Sequence, residues 1–479
     1  MERLVTTSDA EKLDARLAES GSIDRIIDSV GFAVASRAEK ALGGSLYGRR
    51  ISVIVGPGNN GNDGRSAARY LRRGGARVQC VEYGGANGIV IDTSTGVDLV
   101  IDAILGTGIS RPFVPPVIDG SIPVLSIDIP SGIQGDTGNA LGAAVRADET
   151  VVVGALKPGH VQNDGIRMCG RLSICLPDLY DGLEVGTNLF SASDVTPLFS
   201  ERSSDDHKWR RSVMVIAGSE RMEGAARLVC ESAFAAGAGM VVLHTEAKGL
   251  LSSASQFVTS PIDRVWAPPL LDDLNRFQSC VIGPGLGRSL QTSNMVKRFV
   301  ASSNRPTVVD ADGITAFSNL NQLRVAADKE TPTLITPHIG EFNRLGRNDG
   351  ISIQDGTDRF AAVVEMAKAT NCTVLLKGSP TLIASPDGRV NAVVEGGSIL
   401  AFAGSGDVLS GIIGAFLAIG IAPFQAASAA AAVHGAASAG LGGFSIDPPS
   451  LVTSISQLMG AFVPQFNSQS VASRIVRMG

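Results

Sequence analysis

The sequence predicts two α/β domains in one chain of 479 residues, each a mostly parallel, doubly wound sheet covered by helices. Three observations predict this. A chain of that length exceeds what one ordinary hydrophobic core organises. Short apolar runs rich in β-branched residues alternate with helical stretches up to about residue 190, and the same alternation restarts at residue 212. Between the two series, SASDVTPLFSERSSDDHKWRRS (Ser191–Ser212) combines Pro, Ser and dense mixed charge, the composition of a surface connection. The expected domains are residues 1–195 and 205–479.

In order, an amphipathic helical region from Asp9 to about Leu42 precedes RISVIV, a strand ending at Val55. A glycine-rich loop, GPGNNGNDG (Gly56–Gly64), then opens into the helix RSAARYLRRGG, with Ala67, Ala68 and Leu71 on one face and Gly74-Gly75 as its stop. Strand-like runs follow in RVQCVEYG, VDLVIDAILGTG, IPVLSIDIPSG, ETVVVGALKPG and RLSICLPD. The second series runs through SVMVIAGS, AGAGMVVLHT, CVIGPGLG, PTVVDADG, PTLITPH and NCTVLLKGS to AGSGDVLSGIIGAFLA. From Val408 to Ile446 there is no Asp, Glu, Lys or Arg. Pro423, Gln425, His434 and many small residues interrupt that run, so two buried helices are expected there rather than a membrane span.

A net charge of -5 excludes a general electrostatic hold on nucleic acid, which needs a surplus of Lys and Arg on some face. The charged N-terminal stretch carries no apolar run of signal-peptide type, and the six scattered cysteines show no metal-ligand spacing; a cytoplasmic protein with reduced, mostly buried thiols is expected.

The sharpest chemical signal is AGSGDVLSG, Ala403–Gly411, where a glycine turn meets the start of an apolar helix. Backbone amides and the helix dipole there suit a phosphate or a developing oxyanion, and Asp407 beside them suits a catalytic base; an N-capping aspartate is the plainer alternative. KGSPTLIA, from Lys377, offers an ammonium, hydroxyls and amides to nucleotide phosphates, or is an ordinary hairpin turn. In ITPHIGEF, His338 with Glu341 faces a ligand at the strand's carboxyl edge or is a hydrogen-bonded structural histidine. GSERMEGAARL, GPGLG and DADGI add three more turns at strand ends, which converge on one edge.

GSERMEGAARL, AGAGMV, GPGLG, VVDADGI, TPHIGEF, LLKGSPTLIASPDG and AGSGDVLSG, in this order, resemble the ADP- or ATP-dependent NAD(P)H-hydrate dehydratases of the ribokinase-like superfamily over residues 205–479. The resemblance implies that Lys377, Gly378, Ser379, Pro380, Thr381 and Gly406 hold ADP with Mg2+. It also implies that Ala225, Gly285, His338 and Asp407 meet the hydrated nicotinamide nucleotide, with Asp407 as the base. Ser405 stands where Thr is common and Gly313 where Ala is common.

In the first half, GPGNNGNDG departs from the G-x-G-x-x-G dinucleotide spacing but carries two adjacent asparagines and Asp63. ILGTGISRP supplies a second glycine loop with Arg111, and IDIPSG puts Asp128 and Ser131 at a strand end. Asn60, Asp102 and Ser131 are oxygen donors suited to a hard monovalent cation, to ordered water or to plain turns. GPGNNGNDG, DAILGTGISRP, DIPSG and ALKPGH together resemble the Rossmann-like NAD(P)H-hydrate epimerase domain over roughly residues 1–190. The resemblance implies hydrate binding by Asn59, Asn60, Gly61, Asn62 and Asp63, by Gly106, Thr107, Gly108, Ile109, Ser110, Arg111 and Pro112, and by Asp128. It implies potassium at Asn60, Asp102 and Ser131. Asn62 stands where Gly is usual, and asparagine tolerates positive φ better than most residues.

The expected protein is thus a bifunctional repair enzyme, an isomerase and a lyase in one chain, with small-molecule partners, no nucleic acid or membrane, and homo-oligomeric assembly. A ribokinase-like kinase for a vitamin-precursor alcohol, or a nucleotide-sensing binding protein, are the alternatives.

Overall fold

The computed structural model describes residues 1–19, 21–84, 90–91, 94, 96–182, 185–199, 207–251, 256–442 and 446–462. The chain divides into two compact units, Glu2–Thr187 and Asn188 onward. The expected boundary at 195 is therefore too late. Phe190, Val195 and Phe199 insert into the apolar core of the second unit, and Phe190 N donates to Ala392 O at 2.9 Å, so this stretch belongs to the second unit. Residues 200–206 of the expected connection lie outside the described residues.

The first unit begins with two helices, α1 (Thr7–Glu19) and α2 (Ile23–Ala41), where one region was expected. Gly21, at φ 66°, separates them. β1 (Arg50–Val55), α3 (Asn59–Arg73), β2 (Arg77–Glu82), β3 (Leu99–Ala103), β4 (Val124–Ile127), β5 (Glu149–Val153) and β6 (Arg171–Cys175) come next along the chain. The six-stranded sheet has the order β2-β1-β3-β4-β5-β6 and every pairing is parallel. Continuous apolar runs such as ISVIV form central strands because helices bury both faces. Val30, Val34 and Ala38 of α2 and Ala67, Ala68 and Leu71 of α3 pack on Ile51, Val53 and Ile101. The chain leaves β1 in one direction for β2 and pairs β3 on the other side, so the loops after β1 and β3 diverge and open a crevice at their carboxyl ends.

The second unit carries β7 (Ser212–Ile216), α4 (Glu223–Ala235), β8 (Met240–Thr245), β9 (Val258–Pro261), β10 (Ser279–Ile282), β11 (Thr307–Val309), β12 (Thr333–Ile335), α5 (Ile339–Gly346), α6 (Arg359–Thr370), β13 (Thr373–Leu376), β14 (Thr381–Ala384), β15 (Val390–Val393), α7 (Ser405–Ala418) and α8 (Pro423–Ala439). Its strands run β15-β14-β13-β12-β11-β10-β7-β8-β9, parallel from β9 to β13 and antiparallel in the β13-β14-β15 hairpins. The same reversal recurs here, with β7 between β8 and β10. The uncharged run beginning at Val408 forms α7 and α8, which are buried in the core, and no helix among the described residues is long and apolar enough to cross a membrane.

Candidate active sites

In the second unit every expected site residue lies past the carboxyl end of a strand or starts a helix there. Asp407 lies in the first turn of α7, whose N-cap is Gly404 at φ 95°, a conformation glycine adopts without strain. Ser405 N donates to Phe402 O at 3.4 Å, whereas the amides of Gly406 and Asp407 find no acceptor among the described residues. They form an open helix N-terminus suited to an anion. Burial lifts the Asp407 carboxyl to about 6; Asp310 pushes the same way and Lys377 opposes it.

Lys377, just past β13, donates from Nζ to Asp310 Oδ1 at 2.7 Å, and a Cβ on Gly406 would stand 2.9 Å from that Nζ. Asp310 is 1% exposed and accepts also from Ser410 Oγ at 2.6 Å and from Ala311 N at 2.8 Å. Lys377, the glycine turn and α7 are thereby locked around one carboxylate. The sequence showed the DADGI turn but not that Asp310 and Ser410 fasten the site.

The rest of the nucleotide loop is Gly378, Ser379, Pro380 and Thr381, with a cis Ser379-Pro380 bond and Thr381 Oγ1 donating to Gly378 O at 3.0 Å. Ala225 of α4 and Gly285 after β10 come together: a Cβ on Gly285 would lie 3.2 Å from the Ala225 Cβ. His338 caps α5. Its Nδ1 accepts from Gly340 N at 3.0 Å and Glu341 N at 3.4 Å, while Glu341 Oε2 accepts in return from His338 N at 3.0 Å. Nδ1 is occupied as an acceptor, which puts the proton of the neutral ring on Nε2, on a side chain 62% exposed. His338 is thus a hydrogen-bonded helix cap whose Nε2 lies 3.6 Å from Glu341 Oε2. Burial raises the Glu341 carboxyl. At the far side of α7, Ser405 Oγ lies 3.3 Å from Nε2 of His434, whose burial lowers it to about 4 and keeps it neutral.

In the first unit, Asn59, Asn60, Gly61, Asn62 and Asp63 form the first turn of α3, not a loop. Gly61 and Gly64 permit this. A Cβ on Gly61 would stand 1.9 Å from Gly56 O, and one on Gly64 would stand 2.4 Å from the Ala103 Cβ. Asn62 is exposed and helical, so the tolerance of positive φ expected to matter there is not used. Asp102 is fully buried and accepts from Ser126 Oγ at 2.9 Å and from Ser131 through N at 2.9 Å and Oγ at 2.6 Å. Asn60 Nδ2 donates to Leu105 O at 2.9 Å, and Ser131 Oγ also reaches Leu105 O at 3.2 Å. The buried Asn60 Oδ1 has no partner among the described residues. Asn60, Asp102 and Ser131 are thus gathered around Leu105 with one acceptor unused, and this donor set fits a hard monovalent cation.

Gly106 lies between Asn60 and Asp128: a Cβ there would be 3.7 Å from the Asn60 Cβ and 3.8 Å from Asp128 Oδ2. Thr107 sits against Gly135 and Thr7, Ile109 is half-buried, and Gly108, Ser110, Arg111 and Pro112 are exposed along the loop. Asp128, at φ 65°, holds a strained backbone at the end of β4. Lys157, 2% exposed, pairs with its carboxylate at 2.5 Å. His160 braces both residues, with Nδ1 accepting from Lys157 N at 2.9 Å and Nε2 meeting Asp128 O at 2.7 Å. Burial and the Lys157 charge lower His160 to about 4. Burial lifts Asp63 to about 8, with Asp128 and Asp14 pushing the same way, and burial also raises Asp14 of α1. Asp14, a polar position on an amphipathic helix, carries no local signal of this role. Lys157 lies in ALKPGH, where no function is assigned to it from the sequence.

Two doubly wound units, each gathering titratable residues and glycine turns past the carboxyl ends of its strands, define a two-domain α/β enzyme of small-molecule ligands. Residues 213–444 match the family model described as NAD(P)H-hydrate dehydratase, and residues 24–89 and 86–159 match the YjeF-related protein N-terminus. A bifunctional NAD(P)H-hydrate repair enzyme of Mycobacterium tuberculosis is 37% identical over 412 residues, covering 80% of this chain and 82% of that protein. The enzyme of the same description from Thermofilum pendens is 33% identical over 492 residues, covering 91% of each. A solved ribokinase-like superfamily protein from Enterococcus faecalis shares the fold of the second unit at 23% identity and a TM-score of 0.51, covering 59% of this chain and 99% of that one. The chain belongs to the family of bifunctional NAD(P)H-hydrate repair enzymes, and its two-part Rossmann-like and ribokinase-like α/β architecture is the one the sequence predicts.

Proposed function

We propose that the second unit, Asn188 onward, restores NADH and NADPH from their hydrates by ADP-dependent loss of water, while the first unit, Glu2–Thr187, interconverts the two hydrate epimers so that neither accumulates. The observation that carries the dehydratase reading is the Asp407 carboxyl, raised to about 6, beside the Lys377 ammonium and the open amides of Gly406 and Asp407. A carboxylate with that proton affinity is matched to taking a proton from a hydroxyl near neutral pH.

In this reading ADP lies along Lys377, Gly378, Ser379, Pro380, Thr381 and Gly406, with its terminal phosphate toward the start of α7. Asp407 removes the proton of the ring hydroxyl as its oxygen takes that phosphate from ADP. The phosphate then leaves with the C–O bonding pair, a ring proton is lost, and the products are the reduced nicotinamide, AMP and phosphate. Ala225, Gly285 and the Nε2–H of His338 border the nicotinamide side. No three His, Cys, Asp or Glu side chains among the described residues form a metal-holding group, and Asp310 is already engaged by Lys377 and Ser410. Mg2+ therefore fits as an ion carried mainly by the nucleotide phosphates.

In the first unit, Asn60, Asp102 and Ser131 would hold potassium, which would supply positive charge beside the buried Asp102 carboxyl. Epimerisation needs the hydroxyl to leave one face of the ring and return on the other. Asp63, protonated at neutral pH, is suited to giving and retaking that proton, and Asp128 with Lys157 borders the same place.

Incubation of the full chain with hydrated NADH and ADP, with the reduced-nicotinamide absorbance as readout, tests the proposal. Recovery of both epimers is expected. Nucleotide consumption with a vitamin-precursor alcohol and no recovery from hydrate would replace it with a kinase.

A further inference from the structure

Arg359 opens α6 and is 6% exposed, yet it makes no ion pair among the described residues. Its guanidinium is spent on two backbone carbonyls of the nucleotide loop: Nη1 donates to Ser379 O and Nη2 to Pro380 O, each at 2.9 Å. Its buried Nε has no partner at all among the described residues. Gly378 passes so close that a Cβ there would stand 2.8 Å from Nη2. The placement is unfavourable on three counts. The cation is buried, it has no acid within ion-pair distance among the described residues although Asp358 caps the same helix, and it sits at the N-terminal end of that helix, where the dipole favours anions. Loop support alone does not need a full positive charge, because a neutral donor bonds a carbonyl without the same desolvation.

We propose that Arg359 is a positioning residue that shapes the 378–381 loop from beneath and biases it toward polyanionic nucleotides, its charge being offset only when phosphates occupy the other side. The inference rests on the nucleotide site proposed above. Two functions are joined in one side chain: the guanidinium fork fixes the turn, and its charge favours a diphosphate over an uncharged nucleoside.

Calorimetric titration of the full chain with ADP, AMP and adenosine tests this on the wild type, R359M and R359K. R359M should weaken ADP by about tenfold, AMP by less and adenosine by about twofold at most. R359K keeps the charge and loses the fork, so it should weaken all three ligands while retaining the wild-type ratio of ADP to adenosine affinity. Equal losses of ADP and adenosine in R359M would reduce the residue to a structural prop and overturn the proposal, as would unchanged ADP binding. Should R359M fail to fold, a shifted ADP-to-adenosine ratio in R359K overturns it equally. Failure of the nucleotide site itself is seen separately, as wild-type ADP binding that is absent or indifferent to K377M.

Discussion

Replacing Asp407 by Asn separates its chemistry from its cost to the fold. In the folded chain burial lifts this carboxyl from 3.8 to about 6. That difference corresponds to roughly 3 kcal/mol as a ceiling, because the side chain is partly exposed and solvent screens part of it. A carboxyl raised on folding leaves the protein without penalty below the unfolded value, near 4. Stability is then lost as the pH climbs to about 6, and the full cost applies above that. Asp407→Asn should therefore unfold at a higher temperature than the wild type at pH 7.5, by an amount that shrinks toward zero at pH 4. Its dehydration rate should fall by about 100-fold to 10,000-fold, the usual worth of a placed general base. The wild-type kcat/KM should rise with pH through about 6 and then level. Thermal unfolding at the two pH values, together with the absorbance assay, reads all three quantities. Turnover within tenfold of wild type, or a lower melting temperature at pH 7.5, would refute the assignment of Asp407 as a buried base.

Lys377→Met leaves Asp310 buried without its cation and should cost about 3 kcal/mol in chemical denaturation while raising KM for ADP. Gly61→Ala drives a methyl into Gly56 O and should abolish epimerisation while ADP-dependent dehydration of the productive epimer persists, read on separated epimers. Asn62→Gly should leave epimerase activity within about twofold and cost up to about 1 kcal/mol in unfolding measurements, because the position is helical and exposed. His338→Ala removes the α5 cap and should cost about 1 kcal/mol, with a higher KM for the hydrate than for ADP.

Much of the two candidate sites was legible because glycine turns, lysines and acids at strand ends announce themselves locally. Lys377 and Asp407 needed no tertiary information to be singled out. Their fastening was not legible: Asp310 meets Lys377 across 67 residues and Ser410 across 100, separations over which no local pattern carries a signal. GPGNNGNDG misled in the other direction. Glycine and asparagine are poor helix formers, so it reads as a loop, but close packing of Gly61 and Gly64 against the sheet overrides that preference. β9 and the β14-β15 hairpin escaped notice because runs of four residues give no usable period.

The Asp310 carboxylate ties the end of β11, the lysine past β13 and the second turn of α7 to a single point. Segments that would otherwise fluctuate independently are ordered at the moment of folding, so little of the ligand's binding energy has to be diverted to organising them. A receptor braced in this way uses less of a ligand's binding energy to order itself.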